Sequence, residues 1–195
     1  MSDTGELRTE RLALQPLNMS DHAALLTHWT GRLVRRFLFD DHFLTTAEVT
    51  ETIVTSQRSF AMAGFGLWAL RPAARHAALD SSMLGTALLG TAGLRPLDDS
   101  EDTEIEIVYS LEPDRWGHGY AAEAAVAIMD YAFEILGLRR VIAEIDEGNA
   151  ASEAVAQRLG MRPFETAPGF LGPMTHFAVE REGWLGSRRQ KAIGL

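Results

Sequence analysis

Glu104-Ile105-Glu106-Ile107-Val108-Tyr109-Ser110-Leu111-Glu112-Pro113-Asp114-Arg115-Trp116-Gly117-His118-Gly119-Tyr120-Ala121-Ala122-Glu123-Ala124 is the stretch that decides the fold. A strand over Thr103 to Leu111 feeds a loop containing Pro113, and two glycines then open a helix. That helix is predicted over Tyr120 to Leu136, with Ala125, Ile128, Met129, Ala132 and Leu136 as its buried stripe and Gly137 as its C-terminal cap. Gly117 and Gly119 let the main chain approach a ligand and turn N–H groups toward one point. The first turn of the helix adds unpaired amides and the positive end of its dipole. Together they form a phosphate cradle whose donors do not depend on net charge, and Arg115 can add a cationic contact. Locally, the same pattern also suits a plain glycine turn before a core helix.

A rival lies in the same residues. Gly117-x-Gly119-x-x-Ala122 fits the dinucleotide fingerprint, and Asp146 ends the next strand near where a ribose-binding acid would sit. Three features argue against it. Glu112 to Trp116 separate the strand from the glycines. Glu104 and Glu106 do not suit a strand buried on both faces. Too little chain follows to complete such a sheet.

Working outward, Arg11 to Leu17 reads as a first strand, and Ser20-Asp21 opens a helix carrying Ala24, Leu25, His28 and Trp29. A second helix starts near Thr45-Thr46-Ala47-Glu48 and is broken by Gly64-Phe65-Gly66. Strands are predicted at Leu67–Leu70, in bent form over Met83–Leu94, and at Arg140–Ile145, Met161–Glu165 and Thr175–Arg181. Leu97 to Asp102 is an acidic loop. Asn149 caps a short helix running to Leu159 and closed by Gly160. This order gives an α+β chain, a mixed sheet carrying helices, rather than an alternating doubly wound domain. The 195 residues read as one domain, with a core over about 8–184 and a basic, frayed tail over 185–195.

Composition narrows the partners. The net charge of −9 disfavours nucleic acid and anionic membranes and favours cationic partners such as amines. No apolar run approaches a membrane span, and the polar start Met1 to Glu6 resembles no targeting peptide. Zero cysteines exclude disulfides, thiolate metal sites and a cysteine nucleophile, and suit a reducing, cytoplasmic location. His22, His28, His42, His76 and His176 lack metal spacing, so no metal is expected. No serine sits in a nucleophile elbow.

Taken together, Glu106-Ile107-Val108-Tyr109, Pro113 and Trp116-Gly117-His118-Gly119-Tyr120-Ala121-x-Glu123-Ala124 resemble the acetyl-CoA-binding segment of the GNAT superfamily of N-acetyltransferases, and within it the RimJ/RimL-like branch that acetylates ribosomal-protein N-termini. Thr9-Glu10-Arg11-Leu12, Leu84-Gly85-Thr86, Gly90 to Leu94, Asn149-x-x-Ser152, Arg158 to Met161 and Gly183-Trp184 extend the likeness over most of the chain. Trp116 stands where the superfamily usually has Gln or Arg, Val108 where it often has Gly, and Ala156 where many members carry a tyrosine acid.

The resemblance implies a mostly antiparallel sheet of about seven strands, its fourth and fifth splayed apart, flanked by about four helices. Acetyl-CoA is the implied cosubstrate. Pantetheine would lie in the gap along Tyr109, Ser110 and Leu111, and the pyrophosphate against Arg115, Trp116, Gly117, His118, Gly119, Tyr120 and Ala121. Asn149 and Ser152 would touch the pantetheine arm, with Ser152 also at the departing sulfur and the Tyr109 N–H at the oxyanion. Glu106 is the first candidate base and Glu104 the second. Each has a plainer role as well: structural carboxylate, helix cap, packing. The expected acceptor is an amine, shaped by residues 20–64 and the loop 165–175, and a second copy of the chain, as a homodimer, is admissible. A CoA-binding module without turnover is the alternative.

Overall fold

In the computed structural model, residues 5–74, 88–98, 100 and 103–193 are described. The expectations for Leu84-Gly85-Thr86, His76 and half of the acidic loop (99, 101 and 102) lie outside them. The strands are β1 (Leu7–Arg8), β2 (Leu12–Pro16), β3 (Leu67–Pro72), β4 (Gly90–Pro96), β5 (Ile105–Leu111), β6 (Arg140–Asp146), β7 (Arg162–Pro168) and β8 (Pro173–Glu180). The helices are α1 (His22–Thr30), α2 (Arg32–Leu38), α3 (Thr46–Ala63), α4 (Tyr120–Asp130), α5 (Ala150–Arg158) and α6 (Arg181–Ile193).

The strands form one sheet in the order β1-β2-β3-β4-β5-β6-β8-β7. Every pairing is antiparallel except β5 with β6. The expected seven strands become eight because Leu7 and Arg8 pair with Leu14 and Ala13 as a short edge. Six helices, rather than about four, flank the sheet among the described residues.

Period-two alternation sends side chains to two cores. Leu12, Leu14, Trp68, Leu70, Leu94 and Ile107 meet Ala124, Ala125, Ile128 and Met129 of α4 on one face. Leu17 and Ala69 meet Leu25, Trp29, Val49 and Ile53 of α1 and α3 on the other. Thr45 and Glu48 form the reciprocal capping box that starts α3, as their order predicts. The long helix predicted to Leu136 is α-helical only to Asp130 and continues as a π turn over Tyr131–Ile135.

The tail expected to fray over 185–195 is instead helical as far as residue 193. Residues 181–193 form α6, and Trp184 is 4% exposed. Its indole N–H donates to Asp130 Oδ1 at 2.9 Å, Arg188 pairs with the same carboxylate, and Arg181 Nε donates to the Phe133 carbonyl at 2.8 Å. Local composition looked unstructured because its partners lie about 50 residues upstream, on the back of α4 and the π turn. The strand predicted through Arg181 therefore stops at Glu180.

Candidate active site

β5 and β6 share a single register pair, Glu106 with Ile142, and beyond it the two strands part. On the other side of β5, the Leu94 N–H serves the Gly66 carbonyl, and Leu94 stands opposite Ile107. Antiparallel alternation then turns the main-chain groups of Ile107, Tyr109 and Leu111 into the gap, and those of Ser110 toward β4. The Leu111 carbonyl already accepts the Trp116 indole N–H at 2.9 Å. Thus, of the three residues expected to offer main chain to the gap, Tyr109 turns its main-chain groups there, whereas Ser110 turns its own toward β4 and its side chain to Thr91 and His28.

At the end of β5 the chain turns through Gly117 (φ 77°) and Gly119 (φ 80°), a backbone region that L side chains rarely adopt. Gly119 precedes α4, and no side chain hydrogen-bonds as a cap to that helix. A Cβ added at Gly117 would meet nothing within 4 Å; one at Gly119 would meet only the Arg11 guanidinium, at 3.6 Å. Arg115 lies 3.4 Å from Asp114, and the His118 ring stacks on Tyr120 at 5.8 Å.

Arg11 was not among the expected site residues, yet it braces this loop. It donates from Nε to Glu123 Oε2 at 2.6 Å and from Nη1 to the His118 carbonyl at 2.9 Å, and lies over the Tyr120 ring at 4.5 Å. Thr9 also donates to Glu123. Burial works against the Glu123 charge, but the bonds from Thr9 and Arg11 prevail and hold its carboxyl below the usual range. The acid in the loop's own motif, Glu123, was the available signal; its cationic partner more than 100 residues upstream was not legible.

Across the gap, the Tyr109 phenol donates to the Ser152 carbonyl at 3.0 Å. Burial pushes the phenol's pKa far above its ordinary value. The Asn149 side chain accepts the Ser152 N–H at 3.2 Å, which is the cap expected of it. Ala156 is fully buried, so that position offers no room for a tyrosine pointing at the gap.

Glu106 is 3% exposed. Its Oε2 pairs with Arg95 Nε at 2.7 Å and its Oε1 accepts the Glu144 N–H at 3.4 Å. Glu104 instead pairs with Arg140 at 3.4 Å, near the start of the strand. Glu144, which sequence reading passed over, and Asp146, weighed there only as a ribose-binding acid, share the Glu106 side of the sheet. Burial raises the proton affinity of both, helped by the Glu106 charge at Glu144 and by the Asp40 charge at Asp146. His176 Nε2 stands 3.3 Å from Glu144. Among the described residues, no three His, Asp or Glu side chains are grouped to hold a metal.

Beside these acids, a cavity of about 460 Å³ opens between β4, β5 and the helices α1 to α3. Trp29, Phe39, Leu44, Thr91 and Val108 are among its walls, with Glu48 at its edge. Next to it runs a chain of polar contacts. His28 is 1% exposed, with Nδ1 3.0 Å from Glu112 Oε1 and Nε2 2.9 Å from Ser110 Oγ. Ser110 Oγ is 3.0 Å from Thr91 Oγ1, which accepts the Trp29 indole N–H at 3.3 Å.

A parted strand pair leading into a glycine-rich helix start is the architecture that the sequence resemblance implied, and the family comparison agrees: the model described as "Acetyltransferase (GNAT) domain" matches residues 11–162. The chain belongs to the GNAT acetyltransferase family. Its enzymatic class is acyltransferase. This GNAT chain is 41% identical to the uncharacterized protein YkkB of Bacillus subtilis (strain 168) over 78 residues, 40% of this chain and 45% of that protein. It is 25% identical to the uncharacterized N-acetyltransferase p20 of Bacillus licheniformis over 186 residues, 92% of this chain and 98% of that protein. A ribosomal-protein-S5-alanine acetyltransferase from Vibrio fischeri shares the fold, with TM-score 0.72 and 14% identity over 92% of this chain and 98% of that one. No helix among the described residues of this GNAT chain is long and apolar enough to cross a membrane.

Proposed function

We propose that the chain transfers the acetyl group of acetyl-CoA directly to a primary amine within a ternary complex, in the manner of the RimJ/RimL-like branch. The observation that carries this is the gap: one parallel pair at Glu106–Ile142, then open strand running into the glycine cradle. Amides from Gly117 to Ala121 would hold the pyrophosphate, with Arg115, Trp116, His118 and Tyr120 around it. Tyr109 and Leu111 would border the pantetheine, joined by the Asn149 amide.

Holding amine and thioester in register supplies much of the acceleration. The Tyr109 N–H is the donor for the developing oxyanion. Ser152, beside the Tyr109 phenol, stands where the thiolate would leave. Glu106 places a negative charge beside the amine, either as a counter-charge or as a base acting through water. An alkylammonium with pKa near 10 must lose a proton first, whereas a peptide α-amine near 8 is already partly neutral. The Vibrio fischeri relative points to the second kind of acceptor; the cavity and the charge of −9 suit either.

The test is thiol release from acetyl-CoA against a panel of amines: peptides beginning with Ala or Ser, polyamines, amino acids and aminosugars. Release with one class, and an acetylated product by mass spectrometry, is expected. Coenzyme A binding without release to any amine would overturn turnover and leave a binding module.

A further inference from the structure

Arg95 and the Glu144 amide engage both oxygens of Glu106. A second proton acceptor stands on the same face of β5. The donor inventory sets its direction. Trp29 Nε1–H can only donate, so Thr91 Oγ1 accepts it. The Thr91 hydroxyl is then free to donate to Ser110 Oγ, and the Ser110 hydroxyl to donate onward. A neutral imidazole has one N–H and one lone pair. With Nδ1–H donated to the Glu112 carboxylate, Nε2 is left to accept from Ser110. With the ring neutral, all four bonds run one way, from a cavity wall built by Trp29 and Thr91 to Glu112, whose side chain is 35% exposed. Burial lowers the His28 pKa, outweighing the charge and hydrogen bond of Glu112. A neutral ring with its Nε2 lone pair on a serine hydroxyl and its Nδ1–H on a carboxylate is the arrangement of a general base.

We propose that Ser110, His28 and Glu112 form the proton relay that deprotonates the attacking amine, with the Ser110 hydroxyl as the group that touches it and Glu106 as a counter-charge. As the nitrogen bonds to the thioester carbon, its proton passes to Ser110 Oγ while the Ser110 proton passes to His28 Nε2. The imidazolium is held against Glu112. When the C–S bond breaks, the thiolate takes up one proton from solvent and His28 releases one through Glu112. Amine and thioester become amide and thiol, and nothing is oxidised or reduced. Ser110 suits this place because it follows Val108, a cavity residue, on the same face of β5 and is half-buried rather than sealed.

The proposal rests on the acetyl-transfer reading, so two measurements keep their failures apart. Nitrogen-15 NMR of the His28 ring in the full chain should find the neutral Nδ1–H tautomer at pH 7. An imidazolium or an Nε2–H tautomer there overturns the relay whether or not any amine is acetylated. The second measurement uses acetyl-CoA with the best amine of the panel. His28→Gln and Ser110→Ala should each lower kcat about 100-fold and remove the acid limb of the kcat/KM profile. Ser110→Thr should restore most of it, and Glu112→Gln should move the limb to lower pH because the ring loses its anion. Coenzyme A affinity should hold in all four. A wild-type kcat and limb in His28→Gln, or a limb that disappears only in Glu106→Gln, would overturn the proposal. So would an acetyl group found on Ser110 by intact mass in the absence of amine, since transfer would then be covalent.

Discussion

The Tyr109 phenol reaches across the gap from β5 to donate to the Ser152 carbonyl on α5, at 3.0 Å. It is a side-chain strut from β5 to the helix that follows β6, across the side where the sheet parts. It also sets a protonated phenol beside the serine proposed for the leaving sulfur, in a protein whose Ala156 lacks the tyrosine seen in many relatives. Tyr109→Phe should cost about 1 kcal/mol of stability. With the thiolate protonated from solvent, kcat and coenzyme A affinity should both hold. A melt and a kcat measurement on one preparation separate the roles: lost stability with full kcat would make Tyr109 a strut alone.

Glu106→Gln removes the charge beside the amine but leaves Arg95, whose side chain is 48% exposed, able to reach solvent. The fold should therefore survive, coenzyme A should bind as before, and kcat/KM for the amine should drop strongly at neutral pH. Steady-state kinetics with calorimetric titration of coenzyme A checks both parts. An unchanged rate would remove Glu106 from the amine's path.

Gly119→Val would place a β-branched side chain at φ 80° beside the cradle. The backbone strain should cost about 1–3 kcal/mol, and coenzyme A affinity should fall more than about tenfold. Gly137→Ala is the control: its φ of 69° carries a similar penalty and its added Cβ meets nothing within 4 Å. Retained affinity in the valine variant would show that the loop is only a turn.

Stability should depend on pH with two opposite slopes. His28 is depressed in the fold, so below about pH 6.5 the unfolded chain takes up protons first. Its contribution is complete above that value and is lost as pH falls through the window toward the folded pKa. Glu144 and Asp146 are raised, so the folded chain takes protons first and gains stability as pH falls from their raised values toward the ordinary carboxylate range. Urea titrations from pH 4 to 8 should show the near-neutral slope flattened in His28→Gln and neutral-pH stability increased in Glu144→Gln. An unaltered slope in the histidine variant would contradict the depressed value.

Trp184→Ala should cost about 3–5 kcal/mol, as expected for a buried aromatic. A chain ending at residue 184 should also lose stability, because Arg188 pairs with Asp130, whereas a frayed 185–195 would cost nothing; thermal melts of both decide the matter.

Local signals in the sequence found the strand–glycine–helix run, the α3 capping box and the Asn149 cap because each is written within a few residues. What escaped reading is long-range. His28 and Ser110 lie 82 residues apart and Arg11 and Glu123 lie 112 apart, and no spacing rule joins them. The histidine was weighed as a metal ligand and dismissed, since its hydroxyl and carboxylate partners sit on a strand that only the fold brings to α1. The tail was misjudged likewise, because its anchor Asp130 belongs to another helix. The acceptor stayed open because the cavity wall is assembled from α1 to α3 and β4, where no compact motif exists.

The clamp from Thr9 and Arg11 onto Glu123 means that the loop proposed to hold the pyrophosphate is not a portable module. A graft of residues 104–124 into a foreign scaffold would carry the glycines but leave Glu123 without its cation and His118 without the guanidinium that steadies its carbonyl. A chain shortened at its first strand would register the damage as weakened affinity at a turn more than a hundred residues away.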